Sequence, residues 1–248
     1  MNPGESGEGR ETNGIDDEGN GFVDDWRGWN FLERNNDPLR ARSLHGTQIA
    51  GVIGARGDDA AGIAGVNWDI AMMPLRIYNA GMDSTHPGTA AGGSGEPATV
   101  ARIIRAFNYA AENGAQVVNA SFGHPTPSQA EREAIAAAGD VLFAVSAGNL
   151  SRNVDGRPGF REFPCNYGLP NLICTAATDN RDRLAGFSNF GPQSVTWPLP
   201  GRACSRCPCA TFPGGRSGRG STRAPSPAGN GAGAGVAGAS QGTVGPAI

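Results

Sequence analysis

The chain has no lysine: all 20 of its basic residues are arginine, which points to a gene rich in G and C. Acidic residues stop at Asp182, aromatics make up only 7% of the chain, and histidines number three. No apolar run is long enough for a bilayer-spanning helix. Met1 is followed by Asn2, Pro3, Gly4 and Glu5, not by the charged and then apolar stretch of a signal peptide. The formal charge of −3, with no dominant basic patch, argues against nucleic-acid binding. That average conceals a break. Up to Val195, fifteen arginines stand against 23 acids, leaving −8; the remainder has five arginines and no acid, giving +5.

What is present suits one α/β domain, since 248 residues can bury a single core. The 39 glycines fit a fold with tight turns and closely packed helices. Residues 1–40 are polar, glycine-rich and acidic, and read as a surface excursion docked through Trp26, Trp29 and Phe31. His45 to Ala55 predicts a helix whose small residues accept close neighbours. Ile70 to Tyr78 predicts a buried strand. Val100, Ile103, Ile104, Phe107 and Ala111 recur at helical spacing, with Gly114 as a stop. Gln116–Ala120 is the next strand, Ser128 and Glu131 form a capping box that opens a helix ending near Gly139, and Val141–Val145 and Asn171–Ala177 are further strands. Strands and helices alternating over short joints imply a mostly parallel sheet covered on both faces, with ligand-handling groups beyond the strands' carboxyl ends. Residues 196–248 are dominated by Gly, Ala, Pro, Arg and Ser and cannot bury enough apolar surface to order, so disorder is expected there. The break near Val195 reads as a reading-frame shift, the alternative being a true low-complexity extension.

Cys165 and Cys174 are spaced so that either a disulfide or two buried thiols is possible. Cys204, Cys207 and Cys209 form a C-x-x-C-x-C cluster with no fourth ligand nearby, which argues against a zinc site. His86 and His124 lie in Pro-containing loops and read as surface residues.

Five segments follow one another in an informative order: His45-Gly46-Thr47 before a small-residue helix, Asn119-Ala120-Ser121-Phe122-Gly123, Leu142 through Asn149 (LFAVSAGN), Asn171 to Asp179, and Phe187-Ser188-Asn189-Phe190-Gly191. Together they resemble the subtilisin-like serine proteases, the subtilases of peptidase family S8, over residues 1–195. The resemblance implies a three-layer α/β fold with a mostly parallel central sheet, incomplete at both ends. It implies a serine endopeptidase working through an acyl-enzyme. In that chemistry a histidine near neutrality takes the serine's proton, a carboxylate fixes the imidazole, and prepositioned donors hold the oxyanion. His45 would be the general base and Asn149 the oxyanion donor. Ser121, Phe122, Gly123, Ala147 and Gly148 would wall the substrate channel, chiefly through backbone groups that pair with an extended peptide. Simple turn geometry is the competing explanation for the two glycines.

The same resemblance predicts what these residues omit. No D-T/S-G aspartate strand precedes His45, and the opening residues resemble a point downstream of one. No G-T-S-M-A nucleophile motif follows Asn189: Gly242-Thr243 is followed by Val244, and Ser221 and Ser226 lie in the tail. The chain is thus expected to be inactive as it stands. Catalysis needs no cofactor in this family. Asp16, Glu18, Asn20 and Asp24 alternate around Gly21 in an acidic insertion that approximates a loop for a structural Ca2+, but Arg27 stands where a bidentate acid should be, and a solvated acidic loop is the alternative. The expected partner is a polypeptide substrate, with no nucleic acid and no membrane, and the protein is expected to be monomeric. The intact protein would be secreted or extracellular. Two alternatives stand beside a protease: a pseudoprotease that binds peptides without cleaving them, and an extracellular calcium-binding interaction module.

Overall fold

A computed structural model describes residues 2–39, 45–60, 62–78, 100–179, 181–196 and 236–239. The C-x-x-C-x-C cluster and His86 lie outside these residues. In chain order the regular elements are β1 (Trp29–Asn30), α1 (His45–Gly54), β2 (Ala71–Arg76), α2 (Val100–Glu112), β3 (Val117–Ala120), α3 (Gln129–Ala137), β4 (Leu142–Ser146), β5 (Leu172–Thr175) and β6 (Val236–Ala239). Most of the expected elements form within a few residues of their predicted limits.

The sheet has the order β1-β2-β6-β3-β4-β5. β1 runs parallel to β2, and β3, β4 and β5 are parallel to one another. β6 is antiparallel to both β2 and β3, so β2 and β3 point the same way and five strands share one direction. β6 falls within residues 196–248, where disorder was expected, and pairs with the inner edges of β2 and β3. The reason is backbone chemistry: the inner edges of β2 and β3 carry N–H and C=O groups that must be paired, and any extended segment can pair them.

The core is centred on β3 and β4. Val118, Phe143 and Val145 are buried, and Phe143 meets Phe107 of α2 edge-on, with ring centroids 5.1 Å apart. α2 buries Ile103, Ala106, Phe107, Tyr109 and Ala110, the spacing of one helical face. Tyr109 is drawn inside because its hydroxyl donates to Asp25 Oδ2 at 2.5 Å, which satisfies both groups in a buried setting.

That bond anchors the N-terminal region. Phe22 packs edge-to-face on Trp29, Phe31 and Tyr109, while Trp26 is half-buried beneath the Arg27 guanidinium. Residues 1–40 are therefore more than a surface excursion: Trp29 and Asn30 form β1, and Phe22 takes the anchoring place expected of Trp26. Cys165 and Cys174 are joined in a disulfide, which settles the alternative left by their spacing. Among the described residues no helix is long and apolar enough to cross a membrane.

Candidate peptide-binding site

Because β1 to β5 run one way, the segments after their carboxyl ends share one edge of the sheet. Ala120 of β3 pairs with Val145 of β4, so Ser121-Phe122-Gly123 and Ala147-Gly148-Asn149 leave the sheet side by side. His45 reaches the same edge by connectivity. β1–α1–β2 is a crossover between parallel strands, and the far end of α1 lies at the amino end of β2, where a Cβ on Gly54 would come 2.5 Å from Ile70 Cδ1. The helix thus runs back against the strands, and its first residue faces their carboxyl ends.

The two walls differ. Ser121, Phe122 and Gly123 make no backbone–backbone hydrogen bond among the described residues. Phe122 is 6% exposed and its ring packs between Tyr78 and Phe107, so only its backbone can face a ligand. Asn119 Nδ2 donates to Ser121 Oγ at 2.8 Å and steadies the start of this segment. Ala147 and Gly148, by contrast, have spent their backbone groups. Ala147 N–H donates to Thr175 O, Gly148 N–H donates to Ser146 Oγ, and the carbonyls of both accept from Asn189. In place of the expected pairing with a peptide they shape the wall, and the backbone that makes no such bond among the described residues lies at 121–123. Gly148 has φ +94°, which favours glycine, and Asn149 beside it is exposed.

Asn189 is a residue whose role the sequence did not disclose. It is fully buried, its Nδ2 donates to Ala147 O at 2.7 Å, and its Oδ1 accepts from Leu150 N–H at 2.9 Å and Arg152 N–H at 3.2 Å. One side-chain amide thereby clamps the turn that presents Asn149. The only hint in the sequence was its place in the Phe187–Gly191 segment.

His124 is another correction. It is not a free surface residue: Nδ1 lies 2.7 Å from Thr126 O and Nε2 lies 3.0 Å from Glu131 Oε2. A carbonyl and a carboxylate are both acceptors, so the ring is placed to donate twice, as an imidazolium. Burial disfavours that charge, but the Glu131 carboxylate and the Thr126 carbonyl outweigh it and hold the imidazole above its ordinary value. Glu131 is fully buried and also accepts from Tyr167 Oη at 2.5 Å. The capping box is accordingly half formed. Ser128 Oγ accepts from Glu131 N–H at 3.3 Å, but the Glu131 side chain turns to His124 and Tyr167, and Ser128 N–H donates to Tyr167 Oη instead.

Of the four expected calcium ligands, Glu18 and Asn20 are hydrogen-bonded to each other, and Asp16 and Asp24 accept from backbone N–H groups of the loop. Asp16 is occupied by the N–H groups of Asn20 and Gly21, and Asp24 by that of Gly14. Glu18 Oε1 accepts from Asn2 Nδ2 and from Asn20 Nδ2, and the latter also donates to Asp25 Oδ2. Among the described residues no group of three or more His, Cys, Asp or Glu side chains is arranged to hold a metal ion. The side-chain oxygens of Asp16, Asn20 and Asp24 accept from backbone N–H groups within the loop itself.

The sequence model of the subtilase family matches residues 10–243. The chain belongs to the subtilase family. It is 32% identical over 174 residues to a thermophilic serine proteinase of Bacillus sp. (strain AK1), covering 69% of this chain and 36% of that protein. It is 32% identical over 165 residues to a cell wall-associated protease of Bacillus subtilis (strain 168), covering 66% and 16%. It is 30% identical over 169 residues to thermitase of Thermoactinomyces vulgaris, covering 66% and 51%. This subtilase therefore spans between a sixth and about half of the length of these relatives. Among solved structures, the epidermin leader peptide processing serine protease (EpiP) of Staphylococcus aureus superposes with a TM-score of 0.52 at 19% identity, covering 68% of this chain and 45% of that one. That likeness shows the fold, a subtilisin-like α/β architecture.

Proposed function

We propose that this subtilase carries the peptide-recognition face of a serine endopeptidase, and that the 248 residues as they stand bind extended polypeptides without cleaving them. The observation that carries this reading is the run Ser121-Phe122-Gly123 at the carboxyl edge of the sheet, whose backbone N–H and C=O groups make no backbone–backbone hydrogen bond among the described residues. An extended peptide is the ligand that satisfies three consecutive residues of this kind, by adding a strand. Subtilase membership supports the polypeptide as ligand class. His45, at the start of α1, would act as general base and Asn149 as oxyanion donor in the complete enzyme, whose reaction is acyl transfer to a serine and then to water. Neither the nucleophile motif nor the aspartate strand occurs in this sequence, so proton transfer at His45 has no serine hydroxyl to serve. The protein acts as a monomer in an oxidising, extracytoplasmic setting, a placement supported by the Cys165–Cys174 disulfide. A calcium-binding role finds no support in the arrangement of the acidic loop.

Purified protein is expected to bind fluorescent extended peptides saturably in the micromolar range, leave them intact, and take up no fluorophosphonate at a single site. Stoichiometric labelling or serine-dependent cleavage would refute the non-catalytic part. Failure to bind any extended peptide would refute the recognition part.

A further inference from the structure

The segment Ser121–Gly123 is held at its two ends. β3 fixes its start through the pairing of Ala120 with Val145, and His124 fixes its finish by exchanging backbone hydrogen bonds of 2.9 and 2.8 Å with Phe163. The His124 ring ties that finish to α3: Nε2 lies 3.0 Å from Glu131 Oε2, and Nδ1 lies 2.7 Å from Thr126 O. Glu131 also accepts from Tyr167 Oη, and the Tyr167 ring packs 4.9 Å from that of Phe163, the backbone partner of His124. Recognition segment, α3 and the loop 160–168 thus meet at one imidazole. A neutral ring has a single N–H, so it satisfies either Thr126 O or Glu131 Oε2 and turns a lone pair toward the other. Only the imidazolium bonds both. The side chain is 16% exposed, open enough to exchange a proton with water.

We propose that His124 is a positioning residue that makes peptide recognition proton-linked: the doubly bonded imidazolium holds Ser121–Gly123 in place, and loss of its proton loosens the end of the segment and weakens binding. The inference rests on the peptide-binding reading above and adds its regulation. The charged groups facing the ring are Glu131 from α3 and Glu162 from the loop, the latter engaged by Arg152 Nη2 at 3.1 Å. Tyr167 stays a neutral donor, because burial pushes its hydroxyl up. Burial lowers the imidazole, but the Glu131 hydrogen bond and charge, the Thr126 carbonyl and the Glu162 charge outweigh it, so the folded value lies above the ordinary 6.5. Affinity is therefore full below 6.5 and falls as pH rises through the folded value. An extended peptide needs the segment in its ordered form, and apparent affinity scales with the populated fraction of that form. The linkage is reciprocal: a bound peptide favours the ordered form, raises His124 further and takes up a proton in that window.

The test is isothermal titration calorimetry of the full chain with acetyl-Ala-Ala-Pro-Phe-Ala-Ala-amide, which carries no titratable group, from pH 5.5 to 8.5 in buffers of differing ionisation enthalpy. The dissociation constant should rise about three- to tenfold across that range, as expected when one charge-assisted hydrogen bond is lost, with proton uptake on binding. His124→Gln should remove both the pH dependence and the uptake; His45 is intact in that variant, so a signal arising from His45 would survive. Should the variant fail to fold by circular dichroism, proton resonances of the imidazoles in wild type, which has three histidines, replace it. The midpoint of His124, recognised as the resonance that moves in Glu131→Gln, should rise by about half to one pH unit on peptide saturation, the same three- to tenfold. A merely structural His124 would lower Tm when replaced but leave proton uptake and this midpoint unmoved. A pH-independent constant in wild type, a dependence that survives His124→Gln, or an unmoved His124 midpoint overturns the proposal alone. No saturable binding at any pH overturns both it and the recognition reading.

Discussion

Replacing Glu131 with glutamine keeps the shape of the side chain and removes its charge from a fully buried position. The carboxylate accepts from His124 Nε2 and from Tyr167 Oη, so two charge-assisted bonds become neutral ones and the His124 imidazolium loses its counter-ion. A hydrogen bond to a charged group contributes about 1.5–3 kcal/mol, and a neutral one about 1 kcal/mol. Breaking a fully buried ion pair by removing one partner costs about 3–5 kcal/mol, but the His124 side chain is 16% exposed and lets water compensate in part. A loss of about 2–4 kcal/mol follows, or about 5–15 °C in Tm for a domain of this size.

The pH profile carries a second signature. The folded-state value of His124 lies above the ordinary 6.5, so its contribution to stability is fully present below 6.5 and is lost as pH rises through the folded value. Wild type should lose Tm across that window, and Glu131→Gln should lose this component. The assay is thermal unfolding followed by circular dichroism from pH 5.5 to 8.5. A Tm drop below about 2 °C, smaller than one hydrogen bond, or identical pH slopes for the two proteins, would refute the reasoning.

Asn189→Ala removes three bonds from a buried amide and should cost about 2–4 kcal/mol, with faster hydrogen exchange at residues 147–152; exchange confined to other segments would show that Asn189 does not clamp the turn. Replacing Cys165 and Cys174 with serine opens a loop of sequence separation 9 and should lower stability by about 2.5 kcal/mol, read as a fall in Tm that a reductant reproduces in wild type. A chain ending at Gly235 lacks β6 and leaves the inner edges of β2 and β3 unpaired. It should self-associate more than the full chain in light scattering, and a truncation of unchanged scattering and Tm would contradict the role given to β6.

The helices were legible because their apolar residues repeat at helical spacing, α2 most plainly. The strands β3 and β4 were legible as apolar runs between turn signals. β1 was not, since two residues in a polar, glycine-rich stretch carry no period. β6 was not, because its pairing comes from the edges of β2 and β3 and not from its own composition. At the site, residue order marked 121–123 and 147–149 as neighbours. Which of the two had backbone groups left to pair depended on Asn189, some forty positions away, and on Thr175 in another strand. Glu162, His124 and Glu131 acquire their roles only by contact across the loops that follow β3 and β4. Single polar residues in loops have no periodicity to announce such contacts. In the acidic insertion, alternation of carboxylates fits both an ion site and a loop bonded to its own N–H groups, and sequence alone does not separate the two.

Hydrogen–deuterium exchange of the full chain, with and without a saturating extended peptide, tests the account most directly. Protection is predicted at the amides of Ser121–Gly123, with lesser change at Ala147 and Gly148, whose N–H groups are bonded before any peptide arrives. Protection centred on residues 2–39, or none at 121–123 under saturation, would contradict it.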